Sequence, residues 1–139
     1  MSNDGGLSRF QKRMRAIPLA VREAVQPALI KSAEETATVM RSLAPEDTGA
    51  LKDSIEVTAP GQSTPDYSQP GGSRVAGELE ALVTVGNHTV RYPHLVEYGS
   101  KKAPAQPFFW PGFRLNRKRA ANRIKRAIGK AVRDQWGKR

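Results

Sequence analysis

Ala44-Pro45-Glu46-Asp47-Thr48-Gly49-Ala50-Leu51 is the stretch across which the hydrophobic pattern of the chain changes period. Ahead of it, from Leu7 to Ala44, apolar residues recur at helical spacing: Phe10, Met14, Ile17, Val21 and Val25, then Leu29, Ala33, Ala37, Met40 and Leu43. Beyond it, Ile55 and Val57 alternate with polar neighbours, as do Leu79, Ala81, Val83 and Val85. A period near 3.6 predicts an amphipathic helix and a period of 2 a half-buried strand. The stretch therefore reads as a helix-to-strand corner. Pro45 stops the helix, and Gly49 supplies a backbone conformation closed to other residues. Asp47 and Thr48 are expected to satisfy backbone donors of the next turn with their side-chain oxygens. Leu51 and Ile55 carry the chain into the first strand.

Toward the N-terminus, Pro18 and Pro27 each remove a backbone donor, which predicts one long helix kinked at either position or two helices in series. Toward the C-terminus, two antiparallel strands are joined by residues 59–74, APGQSTPDYSQPGGSR. Almost nothing there is apolar, and proline and glycine recur throughout, so a mobile loop or hairpin tip is expected. Gly86-Asn87 is a turn pair, Thr89-Val90-Arg91 fits a short strand, and Tyr92 to Tyr98 fits two helical turns. Ala103 to Pro111, APAQPFFWP, is too rich in proline for a central strand and reads as an extended arm. Pro111 then suits the first turn of a final helix from Gly112 to Trp136. On a helical wheel Phe113, Ala120, Ile124, Ala127, Ile128 and Ala131 share one arc, with Arg117 an exception inside it. Lys118, Arg119, Arg123, Lys125, Arg126, Lys130 and Arg133 cover the other. The apolar face is expected to pack on the sheet.

These elements define an α+β fold: a long N-terminal helix, a small antiparallel sheet with a long polar loop, a short helix, a proline and aromatic arm, and a basic C-terminal amphipathic helix. The 139 residues suit a single domain spanning 1–139. With 38% hydrophobic and 6% aromatic residues the core is thin, which favours stabilisation by association with other copies. No cysteine is present, so disulfides, thiolate metal sites and thiol nucleophiles are excluded and a reducing interior fits. The polar start and the lack of a long apolar run predict a soluble protein without signal peptide, anchor or membrane span. The net charge of +10 is concentrated. Arg114 to Arg139 holds eleven Lys and Arg against Asp134 alone, while the preceding residues hold twelve of each sign. Such a surface suits phosphate or an acidic protein face, unless it is merely solvated.

The triplet Asp47-Thr48-Gly49 invites comparison with a dimeric aspartic protease. That chemistry needs the triplet on a sharp loop after an apolar strand, so that two carboxylates share one proton. Here it follows a helix end and Glu46, and a protease ranks a distant third among the readings. His88 and His94 have no spacing that aims both at one metal, so no metal site is expected. The glycines form no phosphate cradle ahead of a lysine, and no serine sits in a nucleophile elbow. Neither a catalytic residue nor a cofactor is predicted. Tyr92, Tyr98, Phe108, Phe109 and Trp110 cluster apart from the basic strip, which favours packing over base stacking.

Three motifs in order carry a resemblance: Ala44 to Leu51 running on to Ser54-Ile55, then Tyr92-Pro93-His94-Leu95-Val96-Glu97-Tyr98-Gly99-Ser100, then Ala105-Gln106-Pro107-Phe108-Phe109-Trp110-Pro111. With a long helix before and another after, the chain resembles the tailed-phage tail-component family named after the tenth gene product of a lambdoid siphophage. Its relatives include minor tail protein Z and tail-completion proteins. The resemblance implies a non-enzymatic structural protein of the virion neck or tail, assembled in the host cytoplasm as a homo-oligomeric ring for which six-fold closure is the first expectation. Tail-terminator and head-closure rings are the implied neighbours, and passing genomic DNA is a further partner. By the same analogy Glu97 and Gly99 fix the short helix and its exit, and Pro107 to Pro111 lead into the last helix. Tyr92, Glu97, Tyr98, Gly99, Pro107, Phe108, Phe109, Trp110 and Pro111 are then expected at the subunit interface, with the seven cations Lys118, Arg119, Arg123, Lys125, Arg126, Lys130 and Arg133 facing DNA or an acidic rim. The alternative is a free, sequence-independent nucleic-acid-binding protein using the same basic helix. Residues 59–74 and the strength of the basic terminus depart from the plainer family pattern.

Overall fold

Pro18 has no backbone N–H to leave unsatisfied, and its carbonyl accepts Val21 N (3.0 Å) and Arg22 N (3.1 Å), which starts α1 (Leu19–Leu43). A computed structural model describes residues 18–46 and 49–137. The expectations for Leu7 to Ile17, Asp47 and Thr48 lie outside the described residues. Pro27 falls inside α1, and the helix continues through it as one element with the ring on its exposed side. Termination follows from Pro45, which disfavours helical geometry in the residue before it. Ala44 is accordingly extended, with φ −70° and ψ 140°.

The corner contains a short turn of helix. Gly49 has φ +82°, in the left-handed region, and opens α2 (Ala50–Asp53). Leu51 and Ile55 drop into the core. Ser54 ties the corner to the far end of the sheet: its hydroxyl donates to the Leu51 carbonyl (2.7 Å) and accepts Gly86 N (3.1 Å). β1 (Glu56–Thr58) and β2 (Leu82–Thr84) pair antiparallel, with Val57 opposite Val83. Arg41 of α1 donates to the Ile55 carbonyl at 2.7 Å, fixing the sheet against the helix.

Residues 59–74, expected to be an unpacked loop or hairpin tip, extend the hairpin with a ladder of their own. Thr64 N bonds to the Arg74 carbonyl (2.8 Å) and Ala76 N to the Gln62 carbonyl (2.8 Å). Gln69 and Val85 exchange both backbone bonds, at 2.8 and 3.0 Å. Thr64 and Ser68 are buried. The hairpin then returns along α1. Glu78 pairs with Arg22, its carbonyl accepts Gln26 Nε2 (2.9 Å), and Leu79 packs on Val21 and Val25.

Thr89-Val90-Arg91 is not a strand. The Asn87 side chain accepts both Thr89 N and Val90 N at 2.9 Å, which closes a turn and turns Val90 into the core. α3 (Pro93–Tyr98) follows with Pro93 in its first turn. The final helix, α4 (Phe109–Gly137), starts three residues earlier than expected.

α4 packs on α1, not on the sheet as the apolar arc suggested. The two run antiparallel: Gly112 meets Met40, Asn116 bonds Thr36, Arg123 bonds Glu35 and Ala131 joins Val21 and Val25. A Cβ on Gly112 would lie 2.5 Å from Met40 Cγ and 3.0 Å from Met40 Cα, so only glycine allows this crossing. α1 contacts both α4 and the two strands, and the start of α4 shares a core with the sheet through Phe109, Ile55 and Val85. The main core joins Ala37 and Met40 of α1 to Leu51, Ile55, Val85, Val90, Phe108 and Phe109.

Candidate assembly surfaces

The segment Pro107-Phe108-Phe109 carries no side chain able to cap a helix, yet α4 begins there. The cap comes from Glu97 in α3. Its Oε1 accepts Phe108 N and Phe109 N, each at 2.9 Å, and its Oε2 accepts Trp110 N at 3.3 Å. A carboxylate in this place satisfies the otherwise orphaned amides and meets the positive end of the helix dipole. Glu97 is buried, so these bonds work in a medium that strengthens them. Gly99 lets the chain leave α3 with φ +82° and ψ 169°, and a Cβ there would lie 2.8 Å from Ala105 N. The arm is held to α3 by Gln106 N bonding the Val96 carbonyl at 2.8 Å.

This geometry corrects part of the expected subunit interface. Phe108 and Phe109 fill the core of their own chain and are closed to a neighbour. Glu97 is consumed by the cap. What stays open around the junction is Tyr92, Tyr98 and Pro107, with Trp110 and Pro111 partly covered. Trp110 Nε1 donates to the Tyr98 hydroxyl (2.7 Å), and its ring meets Phe113 edge-on at 6.3 Å. At the corner Gly49 precedes the short helix with its positive φ, and Leu51 and Ile55 are buried in the core. His88 lies edge-on to Tyr67, and His94 Nδ1 is 3.3 Å from Gln69 Nε2.

The basic residues of α4 divide in two. Arg123 points into the α1 contact: Nη1 and Nη2 bond the two Glu35 oxygens at 2.9 and 2.5 Å, and Nη1 also reaches Ser32 Oγ (3.3 Å). Its side chain is 15% exposed, against 70% for Arg119, which reaches the same Glu35 from outside at 3.2 Å. The hydrogen bond from Arg123 holds the Glu35 carboxyl below its ordinary value, opposed by partial desolvation and assisted by the Arg119 charge. Lys118, Lys125, Arg126, Lys130 and Arg133 are exposed. The wheel missed this seam because its buried members are polar: Ser32, Thr36 and Asn116. The available signal was the run of small residues Ser32, Ala33, Thr36 and Ala37, which marks a close helix approach.

α4 therefore has three sides. One, through Gly112, Asn116, Arg123 and Ala131, meets α1. A second carries Trp110, Phe113, Ile124 and Ile128 at helical spacing, with Phe113 44% and Ile128 43% exposed. Ile124 and Ile128 line a cavity of about 120 Å³ whose other wall includes Leu79. The third is cationic between Lys118 and Arg133, with exposed Leu115 and Trp136 beyond its two ends.

A family model described as "Bacteriophage HK97-gp10, putative tail-component" matches residues 8–99. The chain belongs to this HK97-gp10-like family. It is accordingly a phage tail component, a structural class of virion protein that meets other tail proteins. The family match takes in α1, the corner, the sheet and α3, and ends at Gly99, so the Glu97 cap lies inside it while the arm and α4 lie beyond. No curated protein and no solved structure matches the chain. No helix among the described residues is long and apolar enough to cross a membrane.

Proposed function

We propose that this tail component closes into a ring at the head–tail junction, as a tail-completion or head–tail joining protein between tail-terminator and head-closure rings. The observation that carries the reading is the three-sided division of α4. An apolar flank left partly open beside Tyr98 and Trp110 supplies a contact for a like subunit, while the cationic side is kept separate from it. Two copies apposed through their cationic sides would repel, which leaves the apolar flank as the contact; where that flank meets a different surface of the next copy, head-to-tail contacts repeat and a closing rotation makes a ring. Six subunits is the closure expected first.

Negative-stain electron microscopy of the full chain, alone and mixed with tails lacking it, tests this. Rings, or added density at the tail end, support the reading. A chain that stays monomeric at high concentration and is absent from finished particles overturns it. The second reading is a free, sequence-independent nucleic-acid-binding protein. It is favoured by the position of α4 beyond the family match, and a monomer that binds duplex but never joins particles would establish it.

A further inference from the structure

We infer that the outward side of α4 is a contact surface for the phosphate backbone of duplex DNA, engaged without regard to base sequence. The inference rests on the neck reading for the source of the DNA, the genome passing the junction, but its chemistry stands on the helix alone.

Lys118, Lys125, Arg126 and Arg133 are exposed and follow one another at intervals of seven, one and seven residues along one side of α4. At 1.5 Å per residue the span from Lys118 to Arg133 is about 22 Å, the rise of about six base pairs at 3.4 Å each. No acid lies between Arg114 and Arg133. Among the acids of α1, Glu35 is the one bonded to α4, and it takes Arg123 and Arg119 on the α1 side. The four outward cations have no carboxylate among the ion pairs of the described residues.

The composition of this side distinguishes phosphate from protein. Interfaces between proteins have an apolar, often aromatic centre and are poor in lysine. Between Lys118 and Arg133 the other residues of this side are Asn122 and Gly129, while the exposed apolar residues that share it, Leu115 and Trp136, lie beyond its two ends. A wet cationic strip without an apolar centre suits polyphosphate, held by lysine and arginine with counterion release. Stacking aromatics are absent between Lys118 and Arg133, which disfavours single strands. Asn122 is the one amide side chain on the strip, so adenine readout is sparse and the cations are left to the phosphate backbone.

The test is fluorescence anisotropy of the full-length chain with labelled duplexes of two unrelated sequences, across a sodium chloride series from about 50 to 300 mM. Four phosphate contacts predict equal affinity for both sequences and a log–log salt slope of about −4. Replacing Lys118, Lys125, Arg126 and Arg133 together by alanine should remove most of that slope. Lys101→Ala with Lys102→Ala removes exposed charge from the α3–α4 loop and should leave it nearly unchanged. No duplex binding by the wild type at low salt overturns the inference. So does equal loss in both variants, or a four-alanine variant that binds duplex normally yet fails to join tails, which would assign the strip to an acidic protein rim. Rings without DNA binding sink this inference and leave the neck reading standing; DNA binding without rings does the reverse.

Discussion

Glu97 accepts the backbone N–H of Phe108 at 2.9 Å, so the first turn of α4 is capped by a residue of α3. Replacing Glu97 with alanine leaves buried amides without an acceptor. A loss on the order of 3 kcal/mol is expected in urea unfolding at fixed protein concentration. Glu97→Gln keeps one acceptor oxygen and should lose roughly half as much. Equal stability of all three proteins would show that the cap is replaced by water.

Gly112→Ala sets two effects against each other. Alanine favours a helix over glycine by about 1 kcal/mol, but its Cβ would stand 3.0 Å from Met40 Cα and closer still to Met40 Cγ. Backbone must move as well as side chain, so a net destabilisation of about 1–3 kcal/mol is expected. Thermal melts of the single variant and of Gly112→Ala with Met40→Ala measure the clash, since the smaller partner should reduce the penalty of the added methyl.

Gly49 and Gly99 both have φ +82°, and alanine should affect them unequally. Nothing lies within 4 Å of a Cβ at Gly49, which leaves only the conformational cost of about 1–2 kcal/mol. At Gly99 the ψ of 169° puts the backbone in a region nearly exclusive to glycine, and the Cβ would strike Ala105 N at 2.8 Å. Gly99→Ala should therefore lower the melting temperature well beyond Gly49→Ala, and matching melts would contradict the tight return of the arm.

Glu35 gives a pH dependence with a defined sign. Its carboxyl is held below the ordinary value of 4.5 by Arg123, so the stabilisation is present above that value and is lost as pH falls through the lowered one. Glu35→Gln should be less stable than wild type at pH 7, and the two unfolding midpoints should converge in acid. A difference that persists unchanged at pH 2 would mean that packing, not charge, distinguishes them.

Phe113→Asp with Ile128→Asp should abolish rings while leaving the monomer folded, because both side chains are substantially exposed. Sedimentation velocity and circular dichroism on the same sample separate the two outcomes.

Much of this architecture is legible in the residues themselves. The stop at Pro45, the left-handed Gly49, the two paired strands and the helical turns from Pro93 to Tyr98 all follow from local period and turn chemistry. What the sequence conceals is non-local. Helix caps are sought within a few residues of the helix start, and Glu97 stands eleven positions before Phe108. A wheel assigns burial to apolar residues, so it groups Arg123 with the exposed cations, gives Asn116 no part in packing, and turns α4 toward the sheet. The hairpin extension looked unpacked because its order comes from backbone pairing, which composition does not report.

The grouping of Val21 with Ala131 joins the first described helix to the last. Contacts between residues so distant in sequence close late and raise the contact order, which slows folding. During synthesis the face of α1 that receives α4 stays uncovered until nearly the whole chain has left the ribosome. A nascent chain halted near Gly99 would lack Ala131 and Val132, leaving Val21 and Val25 covered by Leu29 and Leu79 alone, a part-open groove for a chaperone.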